Sequence, residues 1–217
     1  MRPAGTRAPG AEEAVALRPK LLGAAALFGA VAAAGVYLAF EPQENLLDRW
    51  GYDVVPRQVH QPLWHHVAQL GGPLVVAIGT LLAASWALGR AKLRPNRRVL
   101  AVVALPLVAE VLCEAVLKPL VGRRLGGTYC YPSGHVTGAA SMLTGFVLAA
   151  PRPWRRSLGA VVALVSCLVT VAVVADSQHY PTDAVAALGL VGAVALSVDA
   201  VTRWLASRRR SYQPIPS

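Results

Sequence analysis

The sequence predicts an all-α membrane protein, a six-helix transmembrane bundle with both termini cytoplasmic, and three observations carry that prediction. The chain is 55% hydrophobic and only 15% charged over 217 residues, where a soluble domain holds about 25% charged residues. It contains six apolar runs, each near the length needed to cross about 30 Å of hydrocarbon at about 1.5 Å per residue. Its 21 Lys and Arg residues are dealt out between those runs instead of being gathered on one face. The net charge of +10 therefore does not mark a nucleic-acid binder. The apolar content excludes disorder, and three cysteines in so long a chain exclude a disulfide scaffold.

The first run, 20–40, follows a charged stretch and leads into Glu41-Pro42 with no small-residue cleavage site, so it reads as a span and not as a signal peptide. The second, 64–89, opens with Trp64-His65-His66 and contains Gly71-Gly72-Pro73, which spanning helices tolerate when neighbours satisfy the freed backbone groups. The third, 99–118, carries Glu110, Glu114 and Lys118 four residues apart, one polar stripe along a helix. The fourth, 135–151, is short, and Gly134-x-x-x-Gly138 at its start permits close helix approach. The fifth and sixth are 158–175 and 184–205. One membrane domain, 17–205, lies between polar tails at 1–16 and 206–217. Segment 41–63, with Leu46-Leu47, Trp50 and Tyr52, suits an amphipathic helix on the outer leaflet.

Orientation follows from charge. Alternate segments hold sixteen of the basic residues on one side and five on the other, namely Arg49, Arg57, Lys118, Arg123 and Arg124. The positive-inside rule places the richer side, with both termini, in the cytoplasm of a plasma-membrane protein. The basic residues then serve topology and anionic headgroups.

Polar residues at membrane depth are costly and mark function, and here they cluster in two outer loops. In Pro132-Ser133-Gly134-His135, Ser133 stands where a helix starts, and the first N–H groups with the helix dipole suit a phosphate. His135 on the first turn can hand a proton to a departing oxygen. A plain cap with an interfacial histidine is the alternative. His179 and Asp183 are spaced i, i+4 and share a face if helical, so the carboxylate can fix the ring tautomer. Pro181 between them is compatible only with the first turn of the sixth helix. Asp176 is near enough to His179 to tune it or to cap a helix end. His60, His65 and His66 lack a cysteine or carboxylate at ligand spacing, so no metal is expected there, and with Trp64 they read as interfacial anchors. Cys113, Cys130 and Cys167 imply no disulfide.

These motifs resemble the type-2 phosphatidic acid phosphatase superfamily, which reads Lys-x6-Arg-Pro, then Pro-Ser-Gly-His, then Ser-Arg-x5-His-x3-Asp. The likeness covers about residues 60–205. The second motif is complete at Pro132 to His135, and the third ends correctly at His179 and Asp183. The resemblance implies a metal-independent, cofactor-free phosphatase acting on a polyprenyl- or glycerolipid-linked phosphate at the outer membrane face. It implies that His179 forms a phosphohistidine, that Asp183 orients it, and that His135 protonates the leaving alkoxide. Lys118, Ser133 and the Gly134 amide would hold the phosphoryl oxygens. The departures fall on the arginines. Leu125-Gly126 stand where Arg-Pro is due, with Arg123 and Arg124 just ahead as substitutes, and Ala172-Val173 replace Ser-Arg. The partners implied are the lipid phosphate and membrane lipids, without nucleic acid. Two other classes stay open: a catalytically silent lipid-phosphate-binding relative, and a proton-coupled lipid transporter built around Glu110.

Overall fold

The computed structural model describes residues 9–55, 57–58, 61–89 and 97–211. His60, the loop cations Arg90, Lys92 and Arg94, and residues 1–8 and 212–217 of the expected tails lie outside the described residues. The fold is all-α, with 84% of the described residues helical. In order, the helices are α1 (Pro9–Phe40), α2 (Leu46–Val54), α3 (Pro62–Ala68), α4 (Pro73–Gly89), α5 (Arg97–Glu110), α6 (Lys118–Val121), α7 (Gly134–Ala149), α8 (Arg155–Ala175) and α9 (Pro181–Ser211). A π-helical stretch, Val111–Leu117, joins α5 to α6. A two-stranded hairpin pairs Arg124–Leu125 with Thr128–Tyr129. Its turn is Gly126-Gly127, both at positive φ (57° and 87°), the backbone that a two-residue hairpin loop requires.

Four helical segments are long and apolar enough to cross a membrane on their own: Leu17–Phe40, Val99–Val121, Arg152–Ala175 and Pro181–Leu205. The second and fourth expected spans depart from a straight helix. Pro62–Gly71 and Pro73–Gly89 meet at 47°, because Pro73 lacks an N–H and biases Gly72 towards the extended backbone it adopts (φ −64°, ψ 150°). Gly71 is required at this elbow, since a Cβ there would run into the backbone carbonyl of His135. The other departure, α7, has only 16 residues. None of its residues is exposed, and it packs against α4, α5, α8 and α9. A helix walled in by protein need not match the hydrocarbon thickness, because its ends meet polar groups of neighbours and not lipid.

At one end of the bundle, Lys20 on α1 pairs with Asp199 on α9, which also receives Arg203 at 2.9 Å. The opposite end gathers the polar loops around Arg123, whose side chain is fully buried. All five of its N–H donors are engaged: Nε to Pro42 O (3.0 Å), Nη1 to Thr182 Oγ1 (2.8 Å) and Asp183 Oδ1 (2.7 Å), and Nη2 to Gln43 O (2.9 Å) and Asp48 Oδ2 (2.6 Å). The guanidinium also stacks on Tyr180, 3.9 Å from the ring centre. Asp48 reaches this point from α2, whose N-terminus is fixed by a capping box between Asn45 and Asp48. Its other oxygen accepts Thr182 N (3.0 Å) and Thr182 Oγ1 (2.7 Å), so it caps α9 across the fold. The outward side of α2 shows Leu46, Leu47, Trp50 and Val54, all exposed, the two-sided helix expected for segment 41–63.

Removing Arg123 would leave two buried carboxylates without a counter-charge. Arg123→Met should lower stability by about 3–5 kcal/mol, the range for breaking a buried ion pair. Arg123→Lys should recover only part of it, because an ammonium has three donors where five are used. Denaturation of the detergent-solubilised protein measures both, and midpoints equal to wild type would contradict the clamp.

Candidate active site

The two motif-bearing loops are tied together by backbone, since Ser133 N donates to Asp183 O at 3.1 Å, while Cys130 N donates to Arg123 O at 3.0 Å within the first loop. This brings the imidazoles of His135 and His179 into an edge-on arrangement with ring centres 6.3 Å apart. His135 lies on the first turn of α7, whose N-cap is Ser133. His179 lies in the loop between α8 and α9 and is 6% exposed.

His179 Nδ1 sits 2.9 Å from the carbonyl oxygen of Cys130. A carbonyl only accepts, so Nδ1 carries the hydrogen and Nε2 keeps its lone pair. Burial, then the nearby Lys118 charge and His135, push the His179 imidazole down to about 3, against the opposing pull of the Cys130 carbonyl. The ring is therefore neutral at physiological pH, with one tautomer held and one nitrogen available as a nucleophile.

The orienting group is not the one the spacing suggested. Asp183 accepts Arg123 Nη1 on Oδ1 (2.7 Å) and Tyr180 N on Oδ2 (3.1 Å). The expected face shared with His179 does not form, because α9 begins at Pro181 and leaves His179 outside the helix. Asp183 acts on the loop as a whole, through Arg123 and the backbone of Tyr180. Sequence reasoning could not find Cys130, since its contribution is a main-chain carbonyl. It also missed Asp48, although Asn45-x-x-Asp48 ahead of an amphipathic run is a recognisable capping signal.

The expected phosphate ligands separate into two groups. Lys118 faces the pair of histidines: its charge acts on both, and a Cβ on Gly134 would stand 3.3 Å from its Nζ. It is bonded to Glu114 Oε1 at 2.6 Å, so the lower part of the sequence stripe is an ion pair. Glu110 lies against α7 at Gly138, where a Cβ would be 2.9 Å from its Oε1. Arg123 is engaged as described and is not free for a ligand. Arg124 is exposed on the hairpin, with Nη2 3.1 Å from Tyr129 Oη. Ser133 is buried, and its hydroxyl accepts Val136 N at 3.4 Å, so it caps α7. Val173, at the position of the absent arginine, is buried in an apolar cluster with Val136, Val169 and Ala184, against which Trp64 and Val67 of α3 pack. Among the described residues, no group of three or more His, Cys, Asp or Glu side chains is placed to hold a metal ion.

Between α7, α8 and α9 lies a largely apolar cavity of about 380 Å³, reaching from Ala140 past Thr144 and Val162 to Leu188 and Val191. Its upper end is one to two helical turns below His135.

Among known proteins, the PAP2 superfamily matches residues 74–209. No match is found among curated proteins or among solved structures. The matched region holds Lys118, both histidines and Asp183. The chain thus belongs to the PAP2 superfamily, a multi-pass membrane protein of a family whose chemistry is of the phosphatase type.

Proposed function

We propose that this protein removes phosphate from a membrane lipid phosphate, polyprenyl- or glycerolipid-linked, at the extracytoplasmic face of the plasma membrane. The observation that carries the reading is the His135–His179 pair, 6.3 Å apart, with the Nε2 of His179 left as the free lone pair. Reacting atoms need to approach to about 3–3.5 Å, so a phosphoryl group seated between the rings contacts both.

In the first step, His179 Nε2 attacks phosphorus, the P–N bond forms and the P–O bond to the lipid breaks. Protonated His135 gives its proton to the leaving oxygen. In the second step, neutral His135 takes a proton from water, whose oxygen attacks phosphorus, and the electron pair of the P–N bond returns to Nε2 as orthophosphate leaves. Both steps run on imidazole nitrogens without a metal. Lys118 and the Gly134 amide hold the equatorial oxygens, where the transition-state charge accumulates. The lipid tail occupies the apolar cavity between α7, α8 and α9, and only the headgroup rises to the histidines. Polyprenyl-linked envelope synthesis is a setting that would supply such a substrate.

Three outcomes are expected. Purified protein given mixed lipid phosphates releases orthophosphate; His179→Ala abolishes release, and His135→Ala lowers it by about 10²–10⁴, the span of general acid–base catalysis. If wild type and His179→Ala are equally inert, the reading falls, and loss of lipid movement across vesicles in Glu110→Gln would then favour the transporter. Because Lys118 is shared with Glu114 and Arg123 is engaged, monophosphates should turn over faster than the matching pyrophosphates in a side-by-side assay, and the reverse order would remove this preference. Finally, the depressed His179 value sets a pH dependence. The unfolded ring gains a proton near pH 6.5, while the folded one stays neutral until about 3. The unfolded state thus binds more protons in between, and this contribution to stability declines as pH falls from about 6.5 towards about 3. His179→Gln should reduce the acid-side loss, as read from unfolding midpoints across pH.

A further inference from the structure

A phosphate monoester carries about −1.5 to −2 charges near neutral pH, and Lys118, which faces the two histidines, answers one of them. Lys118 is paired with Glu114, Arg123 with Asp48 and Asp183, and Arg124 stays on the hairpin with Tyr129. Val173 supplies no charge. The element that covers Val173 does. Trp64 and Val67 of α3 pack on the Val173 cluster, and the indole of Trp64 donates inward to Gln58 Oε1 at 2.7 Å. This seating carries the neighbouring His65 to Asp176, at the end of α8, with Nδ1 to Oδ2 3.1 Å. Gln178 donates to the same carboxylate at 2.6 Å. The far end of the α3 segment lies on the other histidine, since Gly71 abuts the His135 carbonyl. Residues 62–72 are thus wedged between the two histidine-bearing segments. His65 and Asp176 both act electrostatically on His135. The His65 side chain is 55% exposed while Asp176 is 10% exposed, so the carboxylate is the fixed part and the imidazole the part open to a ligand.

We infer that His65, protonated and held by Asp176, is a phosphate-contacting residue of the same pocket, a cation delivered by α3 where α8 has only Val173. The inference rests on the phosphatase reading for the identity of the bound group. Unlike an arginine, His65 carries charge only when protonated, so anion binding weakens as pH rises through the imidazole range. The groups around His65 are Asp176, to which it is bonded, and His66, whose ring centre is 6.1 Å away on the same helix, while Lys118 and Glu114 face His135 from the third span.

The test uses full-length protein in detergent micelles and sulfate, a tetrahedral dianion of constant charge between about pH 6 and about pH 8. Calorimetry should show wild type binding sulfate about tenfold more tightly at the lower pH, the size of one charge-assisted hydrogen bond. His65→Gln should bind more weakly than wild type at the lower pH and so show a smaller pH dependence, the remainder coming from His135. His65→Lys should stay tight at both. In turnover, His65→Gln should raise KM for the lipid phosphate with a smaller change in kcat. Equal sulfate affinity in wild type and His65→Gln, or a His65→Lys variant no better than His65→Gln, overturns the inference. The two readings fail separately: phosphate release with a His65→Gln KM equal to wild type removes only His65, whereas His65-dependent sulfate binding without any phosphate release removes only the phosphatase reading.

Discussion

The arrangement of the polar end depends on one buried guanidinium. Arg123 brings together a carboxylate from α2 and one from α9, residues 75 and 60 positions away in the chain, and it accepts Cys130 N on its own carbonyl. Each tie limits a different part of the pocket. The Asp183 tie, with Tyr180 N on the second oxygen, sets where α9 begins and so where the His179 loop ends. The Cys130 tie sets the carbonyl that orients His179. Burying three charges in a medium of low dielectric is tolerable only because every donor of the guanidinium is matched, and such a network is rigid for the same reason. The orientation of the His179 ring thus rests on Arg123, although none of the five Arg123 donors reaches that ring.

Much of this was legible in the sequence, and the limits have physical causes. Apolar length alone located four segments long enough to cross a membrane, but it could not distinguish a helix facing lipid from one enclosed by protein, so the short α7, expected as a weak span, is a helix packed against α4, α5, α8 and α9. Gly71-Gly72-Pro73 announced a break, and the break is there as a 47° bend. The motif residues His135, His179 and Lys118 converge as their order along the chain implied. Arg123 and Asp183 did not follow the expected roles, because a spacing of four means a shared face only inside a helix, and Pro181 starts the helix between His179 and Asp183. Asp48 carries a local capping signal, but its pairing with Arg123 and Thr182 was silent because those partners lie 75 and 134 residues away, and no local pattern encodes a pairing at that separation.

The same packing explains why the departures at Val173 and Arg123 belong together. Val173 is 0% exposed, among Ala172, Val174 and Ala68, with Trp64 and Val67 closing over them. An arginine placed there would have to displace α3 and would put its charge among apolar side chains, which costs several kcal/mol for an uncompensated charge. Once α3 is seated on α8, a cation for the pocket must arrive from an exposed position along its rim. His65 occupies such a position because the contact that excludes an arginine from α8 also sets the register of α3. The pocket thereby exchanges a permanent charge for a titratable one, and its electrostatics become a property of how α3, α7 and α8 pack and not of any single motif.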